Sequence, residues 1–143
     1  MFKITKQFHF SASHHLHHLP KNHPCSRPHG HNYIVEIVLE CREDLRVRQN
    51  PNQWVRDFGD LREIQVWIDQ QWDHRDLNKW MVDGAVGWNY LDEPLPEVWE
   101  PLETTAEMLA WFLFTRFVDS FPEMVAVRVS ETPKTWAEFR RTS

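Results

Sequence analysis

The chain has 143 residues, enough for one domain with a buried core, and a 41% hydrophobic content with 8 tryptophans excludes a disordered polymer. A formal charge of -5 offers no basic footprint for nucleic acid, and no apolar run is long enough to span a membrane. The N-terminus enters an amphipathic segment directly, with no signal-peptide h-region, so the 2 cysteines are expected to be free thiols in the cytoplasm.

Apolar residues alternate through Phe2, Ile4, Phe8 and Phe10, which predicts a first strand over roughly Phe2 to Phe10. A second strand, roughly Asn32 to Cys41, carries Tyr33, Val35, Ile37, Leu39 and Cys41 at alternate positions, so Cys41 reads as core. The charged segment that follows ends in Asn50-Pro51-Asn52, a turn signal, and a short strand Trp54 to Phe58 is expected to complete a hairpin with the second strand. Asp60, three residues before Glu63, reads as a capping-box start to a helix with Leu61, Ile64, Ile68 and Trp72 on one face. A second helix is expected from Thr104, with Glu107 as reciprocal cap and a stripe of Ala106, Leu109, Ala110, Leu113, Phe114 and Phe117. Pro122 follows its end. Val125, Val127 and Val129 then alternate as a strand, and Trp136 to Phe139 reads as a last short one. Clean alternation fits an α+β fold in which an antiparallel sheet carries two helices on one face, as a single domain over residues 1–143.

Certain residues carry chemistry. His29 and His31 stand two apart at the entry to the second strand, so both imidazoles leave the same face, and His14 lies just past the first strand. Three neutral imidazoles with no fourth protein ligand describe a catalytic zinc site, which keeps a coordination position open. Five of the 9 histidines (His14, His15, His17, His18, His23) crowd one stretch, so some of these are solvated loop residues. Cys25 precedes His29 closely. A thiol beside zinc would have a lowered pKa and serve as base or nucleophile, and the competing readings are a fourth zinc ligand or an inert loop thiol. Asp73-His74 is an acid–base pair in which the carboxylate sets the imidazole tautomer, or else a solvated helix end. Glu131 continues the parity of the valine strand. It would suit a heterocycle presenting an amide N–H beside an exocyclic amine, although parity alone favours a strand already ended and a solvated carboxylate. Lys21 and Arg27 are local cations for a small anionic ligand.

Taken together, Phe10-Ser11-Ala12-Ser13-His14, Cys25 with His29-Gly30-His31, Asp57-Phe58-Gly59-Asp60-Leu61, Asp73-His74-Arg75-Asp76-Leu77-Asn78 and Glu131-Thr132-Pro133 resemble the 6-pyruvoyl-tetrahydropterin synthase / 6-carboxy-tetrahydropterin synthase (QueD) family in content and order. The spacing of Cys25 to His29 and the ending through Phe139 resemble the bacterial 6-carboxy branch more than the animal 6-pyruvoyl branch. The resemblance implies a tunnelling (T-) fold whose sheets join into a barrel on oligomerisation, as a homohexamer of two stacked trimers with active sites between subunits. It further implies zinc held by His14, His29 and His31, Cys25 as catalytic base, Asp73 and His74 as proton relay, and Glu131 as pterin anchor with help from Thr105.

The implied reaction is a lyase step. It converts 7,8-dihydroneopterin triphosphate to 6-carboxy-5,6,7,8-tetrahydropterin with loss of triphosphate and acetaldehyde, toward queuosine and other 7-deazaguanines, with no nucleotide or redox cofactor. Two alternatives stand beside it: 6-pyruvoyl-tetrahydropterin synthase activity, and a zinc- and pterin-binding paralogue with an altered substrate or no turnover. Lys79 to Glu103, with Trp80, Trp88 and Trp99, is longer than the family usually has and reads as a surface excursion, the alternative being an acidic segment that closes over a site and alters which pterin enters. Trp72 stands where the family commonly has a smaller aliphatic residue, and Pro28 sits between Cys25 and the histidine pair.

Overall fold

In the computed structural model, which describes residues 1–78 and 103–142, strand β1 runs Phe2–His14 and β2 runs His29–Cys41. β1 is longer than the expected Phe2 to Phe10. Alternation continues through Ala12 and His14, both buried, but the small and polar residues of Ser11-Ala12-Ser13-His14 hide it from an apolar count. The two strands pair antiparallel without interruption from Phe2 opposite Cys41 to His14 opposite His29. This register places Phe10 opposite Tyr33, and their rings stack with centroids 4.7 Å apart, a cross-strand pair of the kind that pins register.

Strands β3 (Met124–Ser130) and β4 (Ala137–Arg140) complete a four-stranded antiparallel sheet in the order β1-β2-β3-β4. Three α-helices are described: α1 (Asp44–Gln49), α2 (Arg62–Gln71) and α3 (Ala106–Phe117). The core lies between one face of the sheet and helices α2 and α3. Phe8, Phe10, Val35, Ile37, Val127 and Val129 meet Ile64, Ile68, Leu109, Leu113 and Phe117 there. The expected helix face is borne out, since Leu61, Ile64, Ile68 and Trp72 are all fully buried. The opposite sheet face is charged. Glu36 accepts from Gln7 at 2.7 Å and pairs with Arg128, which stands 3.8 Å from Glu138.

Several expectations are corrected. No strand forms over Trp54 to Phe58. The charged segment instead folds as the short helix α1, and the Asn50 side chain closes the turn by accepting from the backbone N–H groups of Asn52 and Gln53 at 3.0 and 2.6 Å. Trp54 and Phe58 are left 44% and 50% exposed, because no sheet partner reaches them. The approach to α2 is a 3-10 turn, Phe58–Leu61, capped by Asp57 rather than by an Asp60–Glu63 box, and Asp60 pairs with Arg56 at 3.3 Å. Helix α3 is capped by Thr105, one residue later than expected, its hydroxyl accepting from Met108 N.

In β3 the pairing slips between Val38 and Leu39, which leaves Val125 as the extra residue of a bulge. Met124 therefore takes the core place that strict alternation gave to Val125. Cys41 is half-buried rather than core, because it ends β2 and its thiol donates to Glu43 O at 3.6 Å. Both cysteines are free, as expected. The tryptophan-rich excursion lies outside the described residues except for Glu103. Among the described residues, no helix is long and apolar enough to cross a membrane.

Candidate metal centre and substrate concavity

The long β1–β2 hairpin decides where the histidines go. His14 and His29 are cross-strand partners, and His31 lies one step further on the same face. Ring centroids are separated by 4.6 Å for His14–His29, 5.0 Å for His14–His31 and 4.9 Å for His29–His31. One nitrogen from each falls within 4.8 Å of the others, the only such group of metal-ligating side chains among the described residues.

Backbone carbonyls orient two of the rings. His14 Nδ1 lies 2.8 Å from Thr104 O, and His29 Nδ1 lies 2.7 Å from Arg27 O. A carbonyl only accepts, so Nδ1 carries the proton in both rings and Nε2 presents a lone pair. His14 is 1% exposed, and Nε2 of His14 and of His31 is buried with no hydrogen-bond partner among the described residues. Burial lowers the pKa of His14 to about 4 and that of His31 below its ordinary value, with neighbouring histidines adding to both shifts. Imidazoles kept neutral by burial, as His14 and His31 are, or oriented by a backbone carbonyl, as His14 and His29 are, make donors suited to a divalent metal such as zinc.

Glu131 follows β3 and is neither core nor fully solvated. Its carboxylate stands 3.8 Å from His31 Nε2, too far for a hydrogen bond, and a neutral His31 makes no ion pair with it. Partial burial, followed by the neighbouring carboxylate of Glu107, raises its pKa. A concavity of about 240 Å³ is lined by Glu131, Thr105, Glu107, Leu16, Val129 and Trp136. Thr105 and Glu131, far apart in sequence, thus face one space. Cys25 lies in a 3-10 turn (Pro24–Ser26) capped by His23 Nδ1, and its carbonyl accepts from Leu16 N at 2.7 Å. This ties the half-buried thiol's residue to Leu16 of the same concavity. Cys25 is not part of the metal-ligating group, and Arg27 extends into solvent.

Asp73 and His74 follow α2 and dock on β1. Asp73 Oδ1 accepts from Ser11 N at 2.9 Å, and His74 N donates to Ser11 O at 2.6 Å. Asp73 Oδ2 holds His74 Nδ1 at 2.9 Å, while the imidazole remains 82% exposed. The Ser11 bond, with the His74 contact behind it, lowers the pKa of Asp73. His74 and His31 line a second concavity of about 470 Å³ with Ser11, Ser13 and Asn32. The pair therefore lies alongside the metal-ligating group rather than in contact with it.

Residues 3–142 match the family model described as 6-pyruvoyl tetrahydropterin synthase. The chain belongs to that family. A Haemophilus influenzae protein named 6-carboxy-5,6,7,8-tetrahydropterin synthase is 32% identical over 149 aligned residues, covering 98% of this chain and 99% of its own. The 6-pyruvoyl tetrahydropterin synthase of Caenorhabditis elegans superposes with a TM-score of 0.72 at 22% identity, covering 99% of this chain and 96% of its own. An uncharacterized Wolinella succinogenes protein superposes at 0.69 with 21% identity and 98% coverage of both chains. The family's T-fold accounts for the sheet seen here, open in the single chain with its helices on one side.

The site is held together by residues that neither periodicity nor spacing singles out. Thr104 and Asn78 are buried against the His14 segment, and Glu103 lies between His17 Nδ1 and His18 Nδ1 at 3.3 and 3.2 Å. Asn78 stood within a quoted motif and Thr104 at an expected helix start, yet no periodicity points to their contact with His14.

Proposed function

We propose that the chain is a zinc-dependent lyase that converts 7,8-dihydroneopterin triphosphate and one water to 6-carboxy-5,6,7,8-tetrahydropterin, with loss of triphosphate and acetaldehyde, in the pathway to queuosine. The observation that carries this reading is the convergent group of His14, His29 and His31 beside the concavity that Glu131 and Thr105 line. The name of the Haemophilus influenzae relative supports the 6-carboxy outcome.

His14, His29 and His31 would hold the zinc through Nε2 of His14 and His29 and a ring nitrogen of His31. Bound there, zinc supplies Lewis acidity toward the side-chain hydroxyls of the substrate and lowers the cost of negative charge that develops on them. Glu131 accepts the amide N–H and exocyclic amine of the pterin, with Thr105 beside it, in a partly buried setting where burial and the Glu107 carboxylate raise its pKa. Cys25 takes a proton from the side chain. His74, held by Asp73 through Nδ1, moves a second proton at its exposed Nε2. Arg27, an exposed cation two residues before His29, contributes positive charge toward the triphosphate. Exposure of His74 suits a homo-oligomer, a hexamer of two trimers, in which sites lie where copies meet.

Replacing Cys25 with alanine separates an enzyme from a binding paralogue. Turnover is expected to fall by about 100-fold or more, the range of a lost general base, while zinc content and pterin affinity stay near those of the parent. Undiminished turnover would remove Cys25 from the mechanism.

A further inference from the structure

The environment of His14 contains a buried polar knot that the proposed reaction does not use. Thr104 is fully buried and Asn78 is 4% exposed. The side chain of Asn78 grips the next residue's peptide groups from both sides: Oδ1 accepts from His15 N at 2.8 Å, and Nδ2 donates to His15 O at 2.7 Å. A backbone N–H only donates and a carbonyl only accepts, so the orientation of the amide is decided by its partners. Asn78 is itself set by its own N–H, which donates to Asp76 Oδ1 at 3.0 Å.

Thr104 closes the knot from the other side of the described chain. Its carbonyl and its Oγ1 lie 2.8 and 3.2 Å from His14 Nδ1, so the N–H of the ring is shared between them. With its lone pair toward His14, the hydroxyl donates to Asn78 Oδ1 at 3.3 Å or His15 O at 3.4 Å. Every polar atom of the knot thus has a role that one substitution would leave unfilled. Thr105, the next residue, caps α3 and lines the Glu131 concavity, so the knot joins a metal ligand to the helix start that borders the substrate space.

Resting on the metal-dependent reading above, we propose that Asn78 and Thr104 are positioning residues that hold the His14 imidazole in the Nδ1–H tautomer and in the rotamer that aims Nε2 at the metal. Asn78 acts through the His15 peptide and Thr104 through the ring. Aspartate at position 78 retains the shape but places an acceptor against His15 O. Valine at 104 retains shape but loses the hydroxyl, and serine restores it.

The test is zinc affinity of the intact assembled protein, measured by competition with a chromophoric chelator, with the thermal transition recorded alongside. Thr104→Val and Asn78→Asp are expected to bind zinc at least about tenfold more weakly, as loss of groups that orient a metal ligand does, and Thr104→Ser to stay within about threefold of the parent. Should Asn78→Asp fail to fold, the near-isosteric valine variant decides alone. Parent-like zinc affinity in a folded Thr104→Val protein overturns the positioning role and leaves the metal centre standing. A parent that holds no zinc overturns the functional reading and this inference with it.

Discussion

Burial sets the protonation of His14 and His31. His14, lowered to about 4, and His31, also lowered, are neutral at pH 7 and ready to bind. An unfolded chain would protonate His14 as pH falls through the ordinary value of 6.5, whereas the folded protein resists until about 4. Within that window the unfolded state binds more protons, so stability is present in full above 6.5 and is lost as pH falls toward 4. For a residue this buried, the loss is on the order of 3 kcal/mol. Urea titrations of chelator-treated protein at about pH 7.5 and about pH 5 should show about 2 kcal/mol of it, and a flat profile would refute a buried neutral His14. At the concavity, Glu131→Gln keeps the shape but loses the charge that accepts two donors. Pterin affinity should drop by about tenfold or more with zinc retained, since hydrogen bonds to a charged group contribute about 1.5–3 kcal/mol, and equal affinities would remove the anchor. His14, His29 and His31 were legible in the sequence because strand parity alone puts His29 and His31 on one face. The Thr104 and Asn78 contacts were not, since a polar residue's buried partner depends on chain crossings that no local pattern encodes.

Elements were legible where apolar period and chain direction agree. The alternation of β2 and the helical stripes of α2 and α3 have one solution each, and the fold uses them. Ends were less legible. The last turns of β1 are written in Ser, Ala and His, residues that carry little apolar signal, and the 54–58 segment has strand-like residues with no sheet edge to meet. A bulge at Val125 likewise depends on register with β2 and leaves no trace in spacing. Trp72 illustrates packing at this scale. It ends α2 fully buried, with ring centroids 5.2 Å from Trp67 and 5.5 Å from Phe10. Trp72→Ala is expected to destabilise the protein by about 3–5 kcal/mol, read as a lower urea midpoint, and a loss below about 1 kcal/mol would show that the aromatic cluster is not a supporting element. Thr105→Ala removes the α3 cap at a cost of about 1 kcal/mol. A pterin affinity that falls further than this stability loss would mark Thr105 as a ligand as well as a cap.

At the scale of the molecule, the sheet among the described residues ends at β1 on one side and the short β4 on the other. The C-terminal end of β1 is covered by its own chain, through His74 N to Ser11 O and Ser13 N to Arg75 O, while its remaining length has no partner strand among the described residues. Open edges of this kind are normally covered, and pairing with copies of the same chain would cover them and bring an exposed His74 toward a neighbour's site. Sedimentation should show an oligomer, the hexamer of the proposed function, and a stable monomer would require Asp73 and His74 to serve their own chain. Fold class was legible at this scale because five motifs in order carry it, whereas assembly was not, since edge exposure appears only once the sheet is built. The most direct measurement is mass spectrometry of the products after zinc-loaded protein meets 7,8-dihydroneopterin triphosphate. 6-Carboxy-5,6,7,8-tetrahydropterin with acetaldehyde is the expected outcome; 6-pyruvoyltetrahydropterin instead, or untouched substrate with zinc confirmed in place, would contradict a 6-carboxy lyase.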